Sequence, residues 1–428
     1  MSEDIIVAKS GMKCTEITQA TISHMAGRGY ELMFCDSWGF SFINDKKIIE
    51  DHIIIKEQQN IIEQYYDTIA VRTSSGYSNF SENLEKYYGI ETTVLTNIKS
   101  CDIKPIVFNA FRANSYIGMW FDQYYMPWAK EIRKEAPLRY DGFLLLLGYD
   151  SIHKEILCLD IHGSRNMEKL PIKSFYEYIN SIQYQNLMIY RVSNEKSQYL
   201  LSDVLNHIYD RFNHDINNGI FNQMNQFAVF LNEKFDFQRE IELSLLNIDK
   251  LSAPTHIEGI KVISDISRKR NLFSLCLEYI GLMSGNDSIG FLADKFKLLA
   301  GYWQMIVSFL VKSFYKNDIT NINSKLYNQA MICIEYEEKI CNCLLNTLSS
   351  KIIYNEHINK ITKQDFIYEM IQIEQYYNNK AFANSVSNNE KANFDGLGNF
   401  LLMPLTKKII SREYFIGKRL IITRHSNN

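Results

Sequence analysis

A continuous apolar run, GFLLLLGY from Gly142 to Tyr149, leaves no polar face to offer to water. A run this short, bounded by turn residues, reads as a central β-strand covered on both faces. The residues Asp150 to Lys154 follow as a turn, and EILCLD (Glu155 to Asp160) returns. Such a hairpin brings Gly142 and Asp160 near each other on adjacent antiparallel strands.

The rest of the first half mixes strand and helix signals. Cys14 to Met25 has helical spacing, with Ile17, Ala20, Thr21 and Met25 able to share a face. SWGFSFI (Ser37 to Ile43) alternates Trp38, Phe40 and Phe42, the period of a half-buried strand. Ser81 to Tyr88 reads as a short helix, with Ser81 as N-cap and Gly89 as C-cap. PIVFNAF (Pro105 to Phe111) reads as a buried strand, and PIKSFYEYI (Pro171 to Ile179) as a helix start. Near residue 198 the period changes to 3.6. Helical stripes run over 198–212, 220–235, 257–284, 290–315 and 325–348, with Trp303 as a core anchor. After about 378 the chain turns rich in Asn and Gly, and Asp395-Gly396 signals a tight turn. Three parts are therefore expected: a mixed domain over 1–195, a helical domain over 198–350 and a β-rich tail over 378–428.

A length of 428 residues also favours more than one core. The formal charge of -3 argues against a general nucleic-acid binder. The basic run Arg268-Lys269-Arg270 reads as a solvated helix face. No stretch is long and apolar enough to span a bilayer, and the acidic start (Ser2, Glu3, Asp4) does not read as a secretory leader. Eight scattered cysteines in a chain of this length read as reduced thiols, so a cytoplasmic protein is expected. Cys341 and Cys343 lack the second pair or nearby histidine of a zinc site, and no cofactor or metal is expected. His207, Asp210 and His214 read as a solvated or core-edge helix face. No phosphate-binding glycine motif, H-E-x-x-H or G-x-S-x-G occurs.

Chemistry concentrates at Cys14. A thiol attacks a carbonyl as its thiolate, and a helix N-terminus favours that charge. A base and an orienting carboxylate normally complete such a site. Lys13-Cys14 with its helix, YELMFCDSWGFSF (Tyr30 to Phe42), Lys104 to Phe108, FDQYYMPW (Phe121 to Trp128), GFLLLLGYD and CLD (Cys158 to Asp160) together resemble, in order and spacing, the N-terminal domain of the butirosin-biosynthesis protein H family. A weaker likeness extends over Arg270 to Gly281, Tyr302 to Leu310 and Asn379 to Gly398.

The resemblance implies a papain-like α+β domain, then an all-helical domain and a short β-rich C-terminal tail. It implies an acyltransferase that takes an acyl group from a carrier-protein thioester onto cysteine and passes it to an amine, in antibiotic or nonribosomal-peptide pathways. By matching position, Cys14 is the nucleophile and Asp160 the orienting carboxylate. An acyl carrier protein or a pathway enzyme is the implied partner. Asp122, Tyr124, Tyr125 and Trp128 read, from the residues themselves, either as the lining of a substrate cleft or as a structural turn with packed aromatics. The chain departs from the family where a histidine usually precedes the GYD strand: Gly142 stands there, and no histidine lies between 53 and 152. Three explanations stay open. His162, two residues past Asp160, is a displaced base; the substrate or partner assists; or the activity is lost and the fold serves as a binding or scaffolding module.

Overall fold

The computed structural model describes residues 6–9, 12–44, 65–76, 78–129, 141–194, 199–246, 253–316 and 321–352, all within one compact unit, Met1–Ile373. The tail expected over 378–428 lies outside the described residues.

The architecture is mixed α+β. Helix α1 (Cys14–Met25) is followed by strand β1 (Ser41–Phe42), α2 (Ile69–Arg72), β2 (Thr73–Ser74), α3 (Phe80–Tyr88) and β3 (Ile90–Lys99). Then come α4 (Ser100–Arg112), β4 (Tyr116–Asp122), β5 (Asp141–Asp150), β6 (Glu155–Asp160), β7 (Met167–Pro171), α5 (Ile172–Ser181) and β8 (Tyr184–Val192). The remaining elements are helical: α6 (Leu201–Asn217), α7 (Ile220–Glu233), α8 (Phe237–Leu245), α9 (Glu258–Ser284), α10 (Asp287–Lys316) and α11 (Ile322–Ile352). β1 and β2 form a two-stranded sheet, and the others a six-stranded antiparallel sheet in the order β3-β8-β4-β5-β6-β7.

The apolar run behaves as its composition demands. β5 lies between β4 and β6, and Phe143 to Leu146 are fully buried. Leu144 and Leu146 join Ile103 and Val107 of α4 and Phe175 and Ile179 of α5 in one core. On the opposite face Gly118 leaves room for two rings, since a Cβ there would lie 3.0 Å from Tyr190 and 3.1 Å from Phe143.

Three local expectations change. Of Ser37 to Ile43 only Ser41–Phe42 is strand, and residues 37–40 are all buried rather than alternating. Pro105 to Phe111 is helical, within α4. Ile103, Val107 and Ala110 are spaced by four and three and all face the core, so the 3.6 period governs despite the hydrophobic density. Pro105 forfeits one backbone bond near the start of α4, where the loss is tolerated better than mid-helix. The helix expected from Ser81 starts at Phe80, and Ser81 Oγ instead accepts from Gln19 Nε2 at 2.8 Å. Its expected end is found: Gly89 takes the left-handed conformation (φ 64°) and donates to Glu85 O.

The basic run on α9 is not a solvated face. Lys269 is 6% exposed and Arg270 fully buried, and the Arg268 side chain is 12% exposed. Lys269 Nζ donates to the carbonyls of Ser75 and Gly76, and burial pushes its ammonium down to about 8. Arg270 donates through Nη1 to Gly39 O (2.8 Å) and through Nε and Nη2 to Glu337 Oε1 (3.1 and 2.7 Å). Glu337 of α11, also fully buried, accepts from Trp38 Nε1 at 2.6 Å and from Trp303 Nε1 at 2.9 Å. Trp38 stacks on Phe212 of α6 at 4.0 Å. One carboxylate thus joins α9, α10 and α11 to the segment that leads into β1.

Breaking a buried pair strands its partner's charge, a loss of about 3–5 kcal/mol. Glu337→Gln and Arg270→Met should each lower stability by that order in urea unfolding. Because they remove one shared interaction, the double variant should lose clearly less than the sum of the two.

Candidate functional site

Cys14 is the first residue of α1, and its exposure is intermediate. The helix opens with Ile17 N donating to Lys13 O (2.9 Å), and Thr18 Oγ1 donates back to Cys14 O (2.8 Å). Glu16 turns its carboxylate onto the preceding backbone, where Oε2 accepts from Lys13 N at 2.6 Å. The thiol feels opposing influences. Burial raises its pKa; its own backbone N–H and the charge of Arg165 lower it; the carboxylates of Glu16 and Asp160 raise it again. Burial wins, and the net shift is upward from an already weakly acidic 9.0. The helix start therefore does not hold Cys14 as a resting thiolate at neutral pH, against the sequence expectation.

Asp160 closes β6 and is 2% exposed. Its Oδ2 accepts from Trp128 Nε1 (2.9 Å) and Ser164 N (2.9 Å), and its Oδ1 from Gly163 N (2.8 Å). The carboxylate thus shapes the turn that follows it. A Cβ at residue 163 would lie 2.5 Å from Asp160 Oδ2, which explains the glycine. Asp160 acts on Cys14 through its charge, while its described hydrogen bonds go to the indole and two backbone amides.

The hairpin register pairs Leu144 with Asp160 and Phe121 with Gly142. Extending that count sets residue 162 level with 142, and Ile161 N still donates to Phe143 O. The chain turns there, however, over 161–164, and His162 is exposed with no described hydrogen bond to Asp160. The space beside Gly142 is occupied. A Cβ on Gly142 would meet Met126 Cε at 2.6 Å, Gln123 Cγ at 3.2 Å and Phe121 O at 3.2 Å. Met126 is itself fully buried.

The aromatic segment before β5 forms a tight 3₁₀ turn over Gln123–Tyr125. Asp122 caps it, accepting from Tyr124 N at 2.8 Å. Tyr124 and Tyr125 meet edge to face at 5.1 Å, and Tyr125 packs on Tyr178 at 5.7 Å. Tyr124 is 37% exposed. Of the residues proposed from sequence, Trp128 is thus bonded to Asp160, Asp122 is committed to its own turn, and Tyr124 and Tyr125 form the neighbouring aromatic pair.

Arg165 and Met126 were not found from sequence. Arg165 takes a left-handed conformation (φ 55°) in the turn fastened by Asp160, so its placement follows from that turn. Met126 sits two residues before the noted Trp128, but only the fold sets it against Gly142.

Among the described residues no group of His, Cys, Asp and Glu side chains could hold a metal ion, and no helix is long and apolar enough to cross a membrane. The chain matches no protein-family model and no curated protein.

The occupied position makes a clear prediction. Gly142→His overpacks the site and should lower stability by about 1–3 kcal/mol. Adding Met126→Ala should recover part of that loss in urea unfolding, although Met126→Ala alone destabilises. Full additivity of the two losses would show that Met126 does not fill the space beside residue 142.

Proposed function

We propose that this chain is a papain-like fold whose thiol chemistry has been lost, acting as a binding or scaffolding module in antibiotic or nonribosomal-peptide biosynthesis. The observation that carries this reading is the buried Gly142, packed by Met126 where a base would be needed. It is supported by Asp160, whose carboxylate bonds its own turn and Trp128, and by a thiol that burial keeps protonated. The proposed partner is an acyl carrier protein or a pathway enzyme. Eight cysteines scattered along a chain of this length favour a reducing, cytoplasmic setting.

Acyl transfer is the second reading, favoured by Cys14 at a helix start with its own N–H and the Arg165 charge acting on the thiol. In that reaction Cys14 Sγ loses its proton to the incoming amine or to solvent and attacks the thioester carbonyl. The carrier thiol departs and takes up a proton. The amine then displaces Cys14 from the acyl-enzyme, losing a proton as the amide forms and the thiol is restored. A thioester is reactive enough for such attack without a strong base, and His162 is the imidazole nearest in sequence to Asp160.

Intact-protein mass after incubation with short N-acetylcysteamine and coenzyme A thioesters separates the readings. The binding-module proposal predicts no acyl adduct that disappears in Cys14→Ala. An adduct on the wild type, lost in that variant, overturns it in favour of acyl transfer; its further loss in His162→Ala would assign the base.

A further inference from the structure

Consecutive residues on a helix point about 100° apart, so Arg268, Lys269 and Arg270 cannot serve one partner. Arg268 is the one directed at α1. Its Nη1 donates to both Glu16 oxygens, Oε1 and Oε2, at 2.7 Å each, and its Nη2 pairs with Asp265 Oδ1 at 2.7 Å. Lys13 Nζ meets the same Asp265 oxygen at 2.7 Å, and Ser75 Oγ donates to Asp265 Oδ2 at 2.6 Å. Burial opposes the charge on Asp265, but Arg268, Lys13 and Ser75 outweigh it and hold the carboxyl well below the usual range. The Glu16 side chain is 4% exposed, so its charge is shielded by protein groups rather than by water. That carboxylate grips Lys13 N, the amide just ahead of Cys14.

We propose that Arg268, on a helix of the second half, is a positioning residue for Cys14: through Glu16 it holds the first turn of α1 and offsets the carboxylate charge beside the thiol. The inference rests on Cys14 marking the site and holds whether that thiol is acylated or only borders a binding surface. The charged groups acting on Cys14 are Arg165 and Asp160 from the end of β6 and its turn, and Glu16 from α1. Arg268 controls the last of these.

The test is the pH profile of Cys14 carbamidomethylation by iodoacetamide, read by peptide mass spectrometry so that the other cysteines do not contribute. It needs no acyl transfer, so its outcome is independent of the thioester experiment. Arg268→Gln should move the half-maximal pH up by about 0.5–1 unit, a roughly three- to tenfold slower rate below the midpoint. Arg268→Lys should restore most of the shift. Glu16→Gln should move the midpoint down, and the double variant should return close to wild type. If Arg268→Gln fails to fold, Glu16→Gln alone decides. An unmoved midpoint in Glu16→Gln, or in a folded Arg268→Gln, overturns the proposal and leaves Arg268 a purely structural brace.

Discussion

Glu337 carries a negative charge at a point with no access to water, and the chain can hold it there only by surrounding it with donors. Arg270, Trp38 and Trp303 supply them. A buried charge left without such partners costs several kcal/mol, so the four groups must assemble together or not at all. Their assembly fixes the segment around Trp38 against α6, α9, α10 and α11. It also sets the rotation of α9 about its axis. With Arg270 turned to Glu337, Lys269 falls on the Ser75 and Gly76 carbonyls and Arg268 on Glu16. Gly76 (φ +74°) makes the close approach possible, since a Cβ there would lie 2.8 Å from the Gly39 backbone.

Much of this was legible where the pattern is local and periodic. The helix from Cys14 to Met25, the buried strand at Gly142, its return to Asp160 and the long helical stripes all follow from spacing over a few residues. The clamp on α9 was not legible. A run of three cations looks solvated unless its partners are known, and Trp38 meets Glu337 from 299 residues away. Pro105 to Phe111 misled because apolar density was weighed above spacing. At the site, the absence of any histidine between 53 and 152 was plain in the sequence, yet Met126 and Arg165 became visible only through the register of β4 against β5 and the turn after β6.

The surroundings of Cys14 do not favour its ionisation. Cys14 stands at a helix start, but burial outweighs the helix and Arg165 in setting its protonation. The hydrogen bonds of Asp160 stabilise a turn and an indole.

The central claim is that α1 and α9 belong to one cooperative body, with the site's helix held by the helical half. Hydrogen exchange read by mass spectrometry under rising sub-denaturing urea tests it directly. Amides of α1 (Cys14–Met25) and of the middle of α9, around Arg268 to Arg270, should open in the same step and with the same urea dependence. Opening of α1 at clearly lower urea, with α9 still protected, would contradict the claim and make the Cys14 segment an independent unit.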